Sequence, residues 1–227
     1  MAAVEPRFLS CEDGLPPHMG LHNPFASFTA ALMMAVPLSK VRRAFFSKDQ
    51  RTATPLSLKL HTLCLLALFC GNLYSHARGI VDNQIFDRLP SWYGISGAFC
   101  LWGGNNDTAL MYTLAFWCLI QIILMKNLEW SVENKVYQPV QGLTNLYIIF
   151  TMGRKSWSTR RLRNYFLSCL ACFGAVQVVT ALEPSMCQGP VFWVRLYHAL
   201  IDHSVVGLLF HRVTGLMFEL LVGTKSD

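Results

Sequence analysis

The chain has 227 residues, of which 53% are hydrophobic and only 14% charged, and its mean hydropathy is +0.36. A soluble domain carries roughly 25% charged residues, so much of the usual polar coat is missing, which argues against a soluble enzyme, a disordered tail and a nucleic-acid reader. The net charge of +6 then reads as basic loops flanking membrane spans, and the chain as an all-α integral membrane protein.

In chain order, residues 1–23 form a polar N-terminal extension without a secretory signal or the Arg-rich pattern of a transit peptide. Residues 24–38 are apolar but only 15 long, with Pro37 near the end. That length suits a re-entrant helix as well as a tilted span. Three charge-free windows of 18 residues follow, at 60–77, 108–125 and 165–182. Each makes roughly 27 Å of helix, close to the ~30 Å of a hydrocarbon core. Between the first two, Trp92 to Gly104 is Gly-rich and too short to cross, and Gly103 to Asp107 reads as a turn. Residues 137–152 carry Leu143, Leu146, Tyr147 and Phe150 at helical spacing, which predicts an amphipathic helix lying at the surface. The last window, 190–210, is apolar apart from Arg195, His198, Asp202 and His203. The expected fold is a single membrane domain: a bundle of four transmembrane helices, five if 24–38 crosses, plus the amphipathic interfacial helix.

Basic residues orient this bundle. Residues 40–59 hold Lys40, Arg42, Arg43, Lys48, Arg51 and Lys59, and residues 153–163 hold Arg154, Lys155, Arg160, Arg161 and Arg163. These are 11 of the 19 Lys and Arg, so the positive-inside rule puts both clusters on one side. The chain is then expected to cross outward at 60–77, return at 108–125, leave at 165–182 and come back at 190–210. Lys40, Arg42, Arg43, Arg154, Lys155, Arg160, Arg161 and Arg163 would meet anionic phospholipids such as cardiolipin.

Ionisable groups within a span are costly and mark function by default. At ~100° per residue, Arg195, His198 and Asp202 fall on one polar stripe of the last helix. That stripe can be a buried ion-pair network docking a neighbouring subunit, a proton or quinone path, or part of a metal site. Zinc needs a third and usually a fourth ligand, and His76 is the candidate near the same outer end. Haem is the other alternative, because His61 and His76 lie on the first span while His198, His203 and His211 lie along the last. His198 and His211 sit about 140° apart around their helix, which argues against two haems and leaves one haem b open beside ordinary core histidines. No cofactor is favoured. Of the eight cysteines, Cys64, Cys70, Cys118, Cys169 and Cys172 fall in apolar stretches, where a thiol packs as a small hydrophobe. The C-x-x-C of Cys169 and Cys172 belongs with them.

Two short motifs on the last helix carry a family resemblance. His203-Ser204-Val205-Val206-Gly207 resembles the H-x-x-x-G of the succinate dehydrogenase cytochrome b subunit, and His211-Arg212-Val213-Thr214-Gly215 resembles that family's H-R-x-[ST]-G. The likeness covers about 13 residues, and here the second motif ends the last span instead of beginning the first. It implies a respiratory-type membrane anchor, with His203 holding haem b and Gly207 giving it room. The expected function is therefore a non-catalytic accessory or anchor subunit of a larger membrane complex, in the mitochondrial inner membrane in preference to the endoplasmic reticulum. The alternatives are an intramembrane redox or metal-dependent enzyme using His198, Asp202 and His203, and a small proton-coupled transporter.

Overall fold

The computed structural model describes residues 21, 24–46, 54–78, 89–103, 106–127, 130–186 and 197–222. Their order is α1 (Pro24–Met33), α2 (Ala35–Phe46), α3 (Leu56–Arg78), α4 (Leu89–Gly103), α5 (Asp107–Asn127), α6 (Trp130–Ser156), α7 (Arg160–Met186), a π-helical turn (Tyr197–Asp202) and α8 (His203–Leu221). Five stretches are long and apolar enough to cross a membrane: Pro24–Phe46, Leu56–Ala77, Asp107–Leu124, Arg160–Leu182 and Ala199–Leu221. The protein is a helical membrane bundle.

Local chemistry sets several boundaries. Pro37 has no N–H for the i−4 carbonyl and its ring crowds that position, so the first helix breaks at Met34 before resuming as α2. Asn106 caps α5, its Oδ1 accepting from the Ala109 N–H at 3.0 Å, and Thr159 caps α7, its Oγ1 accepting from the Leu162 N–H at 3.2 Å.

Side-chain contacts fix the direction of each helix. Thr29 of α1 meets His203 at the start of α8, while Arg43 of α2 meets Glu219 near its end. The 24–38 segment is thus the first part of a 23-residue run along the full bundle, the fifth span. Helix α3 runs the other way, with His76 beside His203. Helix α4 returns towards the basic residues: His61 bonds Ser96 early in α3, and Leu101, near the end of α4, receives the Lys155 ammonium. Helix α5 therefore leaves the basic end, where the sequence suggested that 108–125 comes back to it. Helix α6 makes the return.

The short α4 and the long α6 thus correct the expected path. The surface helix at 137–152 is the middle of a 27-residue helix, roughly 40 Å long, packed in the bundle through Tyr137, Ile148 and Met152. It lies parallel to α4, with Thr144 against Gly94, Ile148 against Gly97 and Lys155 at Leu101. Leu143, Leu146 and Phe150 face outward. These were the residues whose spacing suggested an interfacial face, and the spacing describes the outer side of a packed helix equally well. The last span is also displaced: it extends to Leu221 where the sequence placed its end at Phe210. His211 and Arg212 looked like the end of the span, but Arg212 lies 5.7 Å from the Tyr165 ring centre, and Glu219 is matched by two arginines.

The main core gathers Leu58, Cys100, Ile148, Met152, Phe166, Cys169, Leu216 and Phe218. Cys169 is among them as packing.

Candidate functional site

Positions 203, 207, 210 and 214 of α8 repeat every three or four residues and share one face, which looks into the bundle and organises three polar or aromatic levels.

At the end remote from the basic loops, His203 is 3% exposed. Its Nδ1 lies 2.8 Å from Thr29 Oγ1, and its Nε2 lies 3.0 Å from His76 Nε2. The Thr29 hydroxyl also lies 3.1 Å from the Phe25 carbonyl and 3.2 Å from the Ala26 carbonyl, so one side chain ties His203 to the backbone of α1. Asn72, one turn before His76 on α3, places Nδ2 3.4 Å from His76 Nε2, while its buried Oδ1 has no partner among the described residues. Immediately before His203 comes the π-helical turn Tyr197–Asp202. Such turns frequently mark functional positions. Tyr197 anchors it to α7 by donating to the Val179 carbonyl at 2.8 Å.

One level down, Phe69, Tyr93 and Phe210 form an aromatic group, with Phe210 edge-on to both other rings. It separates the upper histidines from His61, which is fully buried. The His61 ring lies 4.4 Å from that of Tyr93, and its Nδ1 is 2.9 Å from Ser96 Oγ. Ser96 Oγ also lies 3.1 Å from the Tyr93 carbonyl. The His61 Nε2 has no partner among the described residues. Tyr93 reaches across to Thr214 at 3.1 Å.

At the basic end, Glu219 accepts from Arg43 at 3.3 Å and from Arg161 at 3.1 Å. Lys40 is buried close to Gly215, where an added Cβ would collide with the Tyr165 hydroxyl and come within 3.3 Å of Lys40 Nζ. The two charge clusters seen in the sequence thus meet on one acid.

Beside this face lies a cavity of about 120 Å³ between α4, α6, α7 and α8, lined by Tyr93, Ile148, Phe166, Cys169 and Phe210 among others. It is almost wholly apolar, with Gln141 and Asn145 of α6 among its polar lining.

The structure brings His76 and His203 together, and Lys40, Arg43 and Arg161 around Glu219. It keeps His61 apart against α4 and leaves His211 exposed. Arg42, Arg154, Lys155 and Arg160 are exposed, and Arg163 is half-buried. Arg195 and the side chains of His198 and Asp202 lie outside the described residues. Sequence reasoning missed Thr29, Asn72 and Glu219. Thr29 and Asn72 are common helix residues whose role shows only once their partners are known. Glu219 carried a usable signal as the only acid between Asp202 and Asp227.

The described residues do not fit haem at His203. The Nε2 atom that would bind iron is 3.0 Å from His76 Nε2, and a Cβ on Gly207 would come within 2.8 Å of the Met33 sulfur. The room that the resemblance assigns to a macrocycle is filled by protein. No known protein-family model matches the chain, and no curated protein resembles it closely enough to count as a relative.

Proposed function

We propose that this chain is a non-catalytic subunit of a larger membrane assembly, docked through the outer face of α7. The observation that supports it is the makeup of that face. Ala171, Gly174, Ala175 and Val178 are exposed and fall along one side of the helix, with the Gln177 amide exposed at its flank. Small residues let a second helix approach closely, and lipid tails offer an amide no hydrogen bond. The favoured occupant is a transmembrane helix of another subunit, to which Gln177 would bond. The basic excess at one end, with Arg42, Arg154 and Arg160 exposed, supports contact with anionic phospholipids of the cardiolipin type. Together with the H-x-x-x-G and H-R-x-[ST]-G likeness, it supports a respiratory-type assembly in the mitochondrial inner membrane.

The test is native mass after mild detergent extraction. The wild type should migrate in a large complex with other subunits, and Gly174→Leu should release the chain while leaving its amount and helicity unchanged. Wild type migrating as a single chain, or only as a multiple of itself, would contradict the reading. One observation favours a second reading, an intramembrane metal-dependent enzyme: two imidazoles meeting in the bundle at 3.0 Å.

A further inference from the structure

We propose that Lys40, Tyr165 and Arg212 form a binding site for a phosphate group between α2, α7 and α8 at the basic end, the phosphate being that of a phospholipid headgroup or a free ion. The observation that carries it is an ammonium buried without a counter-charge. Lys40 is 6% exposed, and no carboxylate or hydrogen-bond acceptor among the described residues pairs with it. The acid in its neighbourhood, Glu219, is already held by Arg43 and Arg161. Arg43 and Arg212 add like charge around Lys40, and Lys40 and Arg212 together face His211. Four cationic side chains thus share one carboxylate. A buried charge left unpaired is costly, and a bound anion would remove that cost.

Gly215 lets the donors come together. A Cβ there would meet the Tyr165 hydroxyl and come within 3.3 Å of Lys40 Nζ, so a phenol and an ammonium lie over the same bare stretch of α8. The Tyr165 hydroxyl, like Lys40, has no hydrogen-bond partner among the described residues. Arg212 lies three residues before Gly215 on the same side of the helix. Its side chain is exposed, with the guanidinium 5.7 Å from the Tyr165 ring centre, so it can close over a bound group. All three side chains donate, and phosphate oxygens accept in strong, charge-assisted hydrogen bonds. The site shares the end of the bundle where Glu219 meets Arg43 and Arg161, at the level of the lipid headgroups. Basic pockets between transmembrane helices at this level bind such headgroups, which makes a phospholipid the favoured source.

The site rests on the reading that this end meets anionic phospholipids, and is independent of docking through α7. The experiment is native mass spectrometry of the full chain in mild detergent, titrated with phosphatidylglycerol. Phosphatidylcholine and inorganic phosphate supply the comparison arms. Wild type should hold phosphatidylglycerol in preference to phosphatidylcholine, whose choline cation would face Arg43 and Arg212. Lys40→Met keeps the apolar stem, loses the charge, and should weaken that binding about 10- to 100-fold. Without lipid it should fold at least as stably as the wild type, since an unpaired buried charge is gone. Arg212→Gln, at an exposed position, should weaken binding about 10-fold and serves if the first variant does not fold. Displacement of the lipid by inorganic phosphate would assign the same site to a soluble phosphate, and retention assigns it to a headgroup. A folded wild type that binds neither phosphatidylglycerol nor phosphate would overturn the site and the lipid reading together. Phosphatidylglycerol binding unchanged in both variants would overturn the site alone, leaving lipid contact to the exposed arginines.

Discussion

The two ends of the bundle bury polar groups by opposite means, although α8 supplies a key residue to each. At the histidine end the contacts are hydrogen bonds in series: backbone carbonyls hold Thr29, and Thr29 holds the His203 ring. At the basic end the groups are charged, and a single carboxylate, Glu219, collects Arg43 and Arg161. The first arrangement sets direction. The second neutralises charge and tolerates looser geometry, since the Arg161 side chain is 68% exposed. A function that needs atoms held in place belongs at the first end, and contact with headgroups or partner loops at the second.

The largest expected effect comes from removing the shared acid. Glu219→Ala leaves Arg43, Arg161 and the buried Lys40 without their carboxylate and should cost about 2–4 kcal/mol, measured by unfolding in mixed micelles. Next comes Gly215→Ala, whose methyl collides with the Tyr165 hydroxyl beside Lys40. It should cost about 1–3 kcal/mol by overpacking, whereas Gly142→Ala, with nothing within 4 Å of the new carbon, should stabilise α6 by about 0.5–1 kcal/mol. At the histidine end, Thr29→Val breaks a buried hydrogen bond and should cost about 1 kcal/mol. The smallest effect belongs to Arg161→Ala, whose exposed pair is worth about 0.2–1 kcal/mol. If Arg161→Ala cost as much as Glu219→Ala, the distinction between a loose end and a fixed end would fail.

These residues also show how far the sequence could be read. The apolar windows around 60–77, 108–125 and 165–182 emerge as α3, α5 and α7 because their outer faces must suit lipid and their inner faces a core. The common end of the two basic clusters was legible from charge alone, and so was the approach of His76 to the last helix. The roles of α4 and α6 were hidden for a shared reason. Their polar residues point inwards, Ser91 and Ser96 on α4, and Gln141 and Asn145 on α6, so hydropathy undervalues helices that nonetheless pack in the bundle. Thr29 was hidden differently: its hydrogen bond to His203 spans 174 residues of sequence, and no local pattern encodes such a pairing.

The bundle has two distinct ends, and α6 runs between them. Single cysteines at Asn127, where α5 ends, and Ser158, just beyond α6, both exposed, test this in a chain lacking its native thiols. A membrane-impermeant maleimide applied to sealed vesicles should label one position and reach the other only after permeabilisation. Labelling of both from the same side would contradict the account.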